Sequence, residues 1–235
     1  MEKYSHRIKP EEFKEWNEKM VEKYDPDAFH HHPNSLIRFI EARRVKTILR
    51  FLDLKEGDRL LEVGCGAGNI LEMTPPSQRF GVDLSTFVLE KAKQRLNKTA
   101  QLFQANAQSL PLKSGVFQRV ICSEVLEHLL DPAAALQEIG RILDSHGAAI
   151  LSVPNEPLIN RIKRILVGLG IFNRLFQKQG DYARVPERMD DEWHLHSLDL
   201  REWLNLVKPF FRVTRIRRIP FFWIPVRYVI RVERM

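Results

Sequence analysis

The sequence predicts an α/β domain built on a mainly parallel sheet, and three observations carry that prediction. Short apolar runs of strand length alternate with segments of helical periodicity between residues 35 and 155, the pattern of successive βα units. The first run breaks at Gly64-Cys65-Gly66-Ala67-Gly68 into a helix start, where the missing Cβ atoms let backbone N–H groups approach a ligand closely. A second short strand then ends in Asp83, at the spacing of about 20 residues that brings a carboxylate to ribose hydroxyls in a βαβ unit. A nucleotide is expected at that turn.

Residues 11–24 and 35–52 carry apolar side chains at three- and four-residue spacing and read as amphipathic helices ahead of the first strand, placed to lie over its ligand. Between them His30-His31-His32-Pro33 reads as a polar loop, because consecutive histidines on a loop do not readily converge on one ion. Leu60, Leu61 and Val63 form a buried strand that carries one acid, Glu62. Arg79–Asp83 is the second strand, followed by a helix over 86–97 with Val88, Leu89, Ala92 and Leu96 on one face. Strands are expected at 101–105 and 119–122. Asp131 as cap and Pro132 at the first helical position open a helix to Leu143, and a fifth strand over 148–153 stops at Pro154.

From Glu156 to Gln179 the pattern changes to a basic amphipathic stretch. Leu158, Ile159, Ile162, Ile165, Leu166, Leu169, Phe172 and Phe176 keep helical spacing among Arg161, Lys163, Arg164, Arg174 and Lys178. It is either a lid packed on the domain or an interfacial helix against anionic headgroups, with a bend at Gly168 and Gly170. Asp199 to Glu202 is a capping box opening a helix to Val207. Two final strands, 211–219 and 226–233, are joined by the apolar segment Pro220-Phe-Phe-Trp-Ile-Pro225.

At 235 residues the chain reads as four parts: a helical cap (1–52), a core (53–155), an apolar and basic insertion (156–195), and the end of the core with the last two strands (196–235). Cys65 and Cys122 read as buried fillers of a reducing compartment. No apolar run approaches the ~20 residues of a membrane span, and the charged start lacks a leader's apolar region, so a cytoplasmic protein is expected. Residues 1–155 carry 21 basic and 21 acidic side chains and residues 156–235 carry 16 and 9, so the whole net charge of +7 lies in the last third, which is expected to face something anionic.

With these segments in order, the sequence resembles the class I S-adenosylmethionine-dependent methyltransferases of the type 11 group over about residues 35–235. LLEVGCGAGNIL, GVDLS, NAQSLPLKSGVFQRVICSEVLEHLLDP and RILDSHGAAILSVPN carry the match. The resemblance implies a doubly wound, Rossmann-like three-layer sandwich with a seven-stranded sheet whose last strand is antiparallel, and S-adenosylmethionine as cofactor. It implies that Gly64, Gly66 and Gly68 cradle the methionine and ribose portion, that Glu62 helps hold the amino group, and that Asp83 accepts from both ribose hydroxyls. Leu84, Ala107 and Ser123 join the cofactor-binding set. Asn106 stands where the family often has the Asp that accepts from the adenine amino group, and Gln118 replaces a common Asp ahead of the fourth strand.

A narrower resemblance is to the ubiquinone-biosynthesis O-methyltransferases. It rests on Glu124-Val-Leu-Glu127-His128, on the insertion after the fifth strand, and on Asn34, Leu36 and Arg38, the last counted as cofactor-binding. It implies a hydrophobic or lipid-linked small-molecule acceptor, methylation at oxygen, and contact with an anionic membrane surface. His194 is the candidate base, since an imidazole titrates near neutral pH. Glu124, Glu127 and His128 share one face of a helical turn and are either a divalent-ion site or a salt-bridging and capping cluster; the second is preferred and no metal ligand is assigned. Phe172, Phe176, Phe221, Phe222 and Trp223 are expected around the acceptor entrance, rimmed by Arg161, Lys163, Arg164, Arg217 and Arg218. An RNA methyltransferase and a non-catalytic cofactor-binding module are the competing readings, and nucleic acid is disfavoured because the chain lacks Asn-Pro-Pro-Tyr, Asp-Pro-Pro-Tyr and Pro-Cys signatures.

Overall fold

The computed structural model describes residues 8–27, 33–75, 77–170 and 193–235. His30–His32, Phe172, Arg174, Phe176 and Lys178 lie outside the described residues. Seven strands form one sheet: β1 (Arg59–Val63), β2 (Gln78–Asp83), β3 (Gln101–Gln104), β4 (Phe117–Ser123), β5 (Leu143–Pro154), β6 (Phe211–Pro220) and β7 (Pro225–Arg234). Their order is β3-β2-β1-β4-β5-β7-β6. Every pairing from β3 to β5 is parallel, while β7 is antiparallel to both its neighbours, β5 and β6. The expected seven-stranded sheet with an antiparallel last strand is therefore present.

The central strands β1, β4 and β5 are buried on both faces because helices cover both, whereas the edge strands β3 and β6 are largely exposed. On one side lie α2 (Ser35–Leu52), the short α3 (Asn69–Met73) and α4 (Thr86–Leu96); on the other lie α1 (Phe13–Tyr24), α5 (Pro132–Ile142) and α7 (Leu200–Val207). α6 (Glu156–Gly168) leaves β5 at its carboxyl end. α2 starts where the Asn34 side chain accepts the N–H groups of Leu36 and Ile37, stops at left-handed Asp53, and buries Val45, Ile48, Phe51 and Leu52. Asp199 and Glu202 form the expected capping box at α7, a device worth about 1 kcal/mol, and Trp203 from that helix fills the core beside β5.

One boundary moved. β5 begins directly after α5 at Leu143 rather than at Ala148, with a slip in its pairing to β4 between Phe117 and Arg119. Gly147 makes the tight approach possible, since a Cβ there would lie 3.1 Å from the Phe117 carbonyl oxygen. Gln118 bridges this end of the sheet, accepting from the Arg59 N–H and donating to Asp144, which gives the departure from the family pattern a structural use.

The sheet order places the site. The chain steps outward from β1 through β2 to β3, then returns to β4 on the other side, so β1 and β4 diverge in connectivity at their carboxyl ends and leave a crevice there. Because β6 runs parallel to β5, the β6–β7 turn at 220–225 reaches the same edge.

Candidate active site

The glycine turn is held by backbone bonds before any ligand arrives. Gly64 and Cys65 both donate to the Val82 carbonyl, and Gly68 donates to that of Cys65. All three glycines have positive φ, yet they differ in what surrounds them. A Cβ on Gly64 would lie 2.2 Å from Val125 Cγ2 and one on Gly68 2.8 Å from Leu96 Cδ1, whereas one on Gly66 would meet nothing within 4 Å. Gly64 and Gly68 are thus small for packing reasons, and Gly66 alone opens onto free space of the kind a cofactor fills.

Two carboxyls flank that space. Glu62 is buried in β1; burial pushes its carboxyl up to about 8 against the attraction of Arg44. Its Oε2 has no hydrogen-bond partner among the described residues. A buried polar atom left unmatched is costly, and the ammonium of a bound amino-acid moiety would satisfy it. Half-buried Asp83 accepts 2.9 Å bonds from the N–H groups of Gly66 and Ser85, and burial raises its carboxyl above the ordinary range. Asp83 therefore also shapes the loop, and is not reserved for a ribose alone.

The remaining expected cofactor residues divide. Ser123, at the end of β4, accepts from the Arg44 guanidinium, and Ala107 is buried while Leu84 packs half-buried on the core. Asn106 spends one lone pair of its amide oxygen on the Gln108 N–H at 2.9 Å, which fixes its rotamer. Arg38 is exposed on α2 and donates to the Pro33 carbonyl at 2.6 Å. The buried guanidinium beside Glu62 belongs to Arg44, which pairs with Glu41 one turn earlier and is drawn by Glu124 and Glu62 as well. Sequence reading missed Arg44; the signal was an arginine placed on the apolar stripe of an amphipathic helix.

α1 and the residues just after it are tied to α4 and to the glycine turn. Glu18 accepts from the Thr86 hydroxyl and the Phe87 N–H at the start of α4, Asp27 binds Asn69 and Arg95, and Arg95 also donates to the Ala67 carbonyl inside the glycine turn.

The expected helical turn carrying Glu124, Glu127 and His128 is not formed. Glu124 has φ 56° and only Leu126–His128 is a 3-10 turn, so the Glu124 side chain is directed elsewhere. It pairs with Arg227 at 2.5 Å and accepts from the Ser152 hydroxyl at 2.7 Å. His194 takes its place beside the other two. The chain at 193–196 is tied down by the Leu195 and His196 N–H groups, both on the Glu127 carbonyl, and by the His196 ring on the Leu129 carbonyl. His128 packs against Trp193 and His194 with ring centroids 4.3 and 4.7 Å away, and Trp193 stacks on Tyr24.

Glu127, His128 and His194 thereby offer three possible ligand atoms within 4.8 Å of one another. Glu127 is fully buried, and burial together with the neighbouring Glu124 raises its carboxyl to about 8. His194 Nδ1 lies 2.9 Å from Oε1 of Glu156, a buried carboxylate at the first turn of α6. At that distance the two form an ion pair when the ring is protonated. Glu156 is a second residue of this cluster that sequence reading missed, since it stood at the edge of a stretch read for its basic and apolar character. Val125, which packs on Gly64, joins this cluster to the glycine turn.

A mainly parallel sheet with a glycine turn after β1 and acids in β1 and at the end of β2 is a Rossmann-like arrangement suited to a nucleotide-containing cofactor. The family described as "Methyltransferase domain" matches residues 61–151, from within β1 through most of β5. An uncharacterised protein of Methanocaldococcus jannaschii is 29% identical over 77% of this chain and 68% of its own. A ubiquinone biosynthesis O-methyltransferase of Coxiella burnetii is 25% identical over 71% of this chain and 69% of its own. Three further relatives at 30–33% identity are spanned over only 35–59% of their length. Among solved structures, a possible histamine N-methyltransferase of Thermotoga maritima superposes with a TM-score of 0.64 at 20% identity, covering 95% of this chain and all of that one, and shows the shared fold. Residues 61–151 thus match a methyltransferase domain, and the match implies S-adenosylmethionine as the methyl donor.

Proposed function

We propose that the protein methylates an oxygen of a hydrophobic or lipid-linked small molecule, working in the cytoplasm and in reversible contact with a membrane. The observation that carries this reading is the Glu156–His194 pair beside the glycine turn. Bound S-adenosylmethionine supplies a methyl group already activated on a positively charged sulfur. The protein's share is then alignment, which can lower a barrier by about 7 kcal/mol or more, and removal of the acceptor's proton. Glu62 and Asp83 hold the two ends of the donor's polar part, and Gly66 leaves room for it. His194 Nε2 takes the proton from the acceptor hydroxyl while Glu156 steadies the imidazolium that forms. The name of the Coxiella relative supports a small-molecule oxygen acceptor, and the exposed Ile165 and Val167 of α6 support an apolar one.

The test is to supply methyl-labelled cofactor with lipid, polar-metabolite and RNA extracts. Label should enter the lipid fraction as a methoxy group, and His194→Ala should cut that transfer by ~10²-fold or more with cofactor affinity unchanged. Label confined to RNA or to polar metabolites overturns the reading.

A further inference from the structure

The exposed tip of the β6–β7 hairpin is unlike the rest of the surface. Phe221, Phe222, Trp223 and Ile224 are all exposed, Phe222 by 70% and Trp223 by 62%. They form an ordered crown rather than a frayed loop: Phe221 stacks on Trp223 with ring planes 3° apart, and Phe222 meets Trp223 edge-on. Phe39 of α2 extends the crown, and the Arg43 guanidinium lies over the rings of both Phe39 and Phe221. A groove of about 460 Å³ runs beneath, lined by Arg43, Arg217, Arg218 and the aromatic tip.

The charge around the crown has one sign. No acidic residue occurs from Trp203 to Val232, a stretch holding seven Lys and Arg. α2, packed against β6, has a single acid, Glu41, buried against Arg44. Arg217 and Arg218 make no ion pair among the described residues, and Asp199, which lines the adjoining groove with Arg218, is engaged in its helix cap. A soluble surface does not ordinarily keep four large apolar side chains exposed in a row. Ringed by cations, they match a bilayer, with rings at the level of the acyl chains and guanidinium groups at the phosphates.

We infer that this hairpin tip, together with the first turns of α2, is a docking surface for an anionic phospholipid bilayer. It deepens the reading above by naming which surface meets the membrane, and it rests on that reading only for why the contact is useful. The tip stands at the carboxyl edge of the sheet, the edge that holds the glycine turn, so docking turns the crevice toward the lipid. Binding needs no covalent anchor, because several basic residues near an anionic leaflet act together with the inserted rings.

The full chain, flotation and fluorescence decide it. The protein should float with vesicles of phosphatidylcholine containing phosphatidylglycerol, weakly with phosphatidylcholine alone, and less as salt screens the charges. Arg217→Gln/Arg218→Gln should lower partitioning by about tenfold or more, and Phe222→Ser/Trp223→Ser should abolish it. Brominated lipid should quench tryptophan emission in the wild type and not in Trp223→Phe. All variants change exposed side chains, so cofactor affinity by calorimetry should stay at the wild-type value, which separates loss of docking from loss of fold. Absence of vesicle binding in a protein that still binds cofactor overturns the docking surface and leaves methyl transfer standing. Equal binding to neutral vesicles, or RNA binding that the same substitutions abolish while vesicle binding persists, overturns it as well.

Discussion

Glu62→Gln should make the cofactor-free protein more stable at alkaline pH while removing its affinity for the cofactor. The carboxyl titrates near 4.5 in an unfolded chain and near 8 in the fold, because burial disfavours its charge more than Arg44 favours it. Between those values the native state binds the extra proton, so stability falls as pH rises through the window and levels off above 8. Each pH unit well inside the window removes about 1.4 kcal/mol, and the slope fades as pH reaches the folded value, hence about 2 kcal/mol between pH 6 and pH 8. Glutamine cannot ionise, so the variant escapes that loss. Glu127 titrates over the same range but is present in both proteins, and the difference between them isolates Glu62. Urea unfolding at pH 6, 8 and 9 reads the effect, and isothermal titration reads the cofactor. Adding cofactor should restore the wild type at pH 8 and leave the variant unmoved. Parallel pH profiles for the two proteins, or full cofactor affinity in the variant, would refute the reasoning.

Asp83→Asn should lower cofactor affinity at least tenfold while holding the melting temperature, since an amide oxygen still accepts a loop N–H; Asp83→Ala should lower both, because Gly66 and Ser85 lose their acceptor. Gly64→Ala should cost about 1–3 kcal/mol of stability from the clash with Val125. Gly66→Ala should cost less in a thermal melt and more in cofactor titration. Glu156→Gln should reduce turnover by ~10²-fold with cofactor affinity unchanged, and Glu156→Asp should recover part of it; a loss of cofactor binding instead would make the pair a structural tie.

The core was legible because each βα unit announces itself twice, by an apolar run and by a cap or glycine at its end. Asn34, Asp131 and Asp199 each start a helix where a side-chain oxygen meets free N–H groups. The reach of β5 back to Leu143 was hidden, since it depends on Gly147 fitting against β4, a contact between segments distant in sequence. The acceptor side was less legible for the same reason. His194 could be picked out by its chemistry, but its partner Glu156 lies 38 residues earlier in the chain and is brought to it only by the fold. The triad Glu124, Glu127 and His128 failed because helical spacing was assumed where a left-handed residue turns the first acid away toward Arg227.

Inserting β7 antiparallel between β5 and β6 also sets a length. Three strand spacings separate β1 from β7, about 14 Å. On the docking proposed above, that distance separates the lipid under the hairpin from the crevice above β1, and an acceptor carried on a long flexible tail is the kind that would span it.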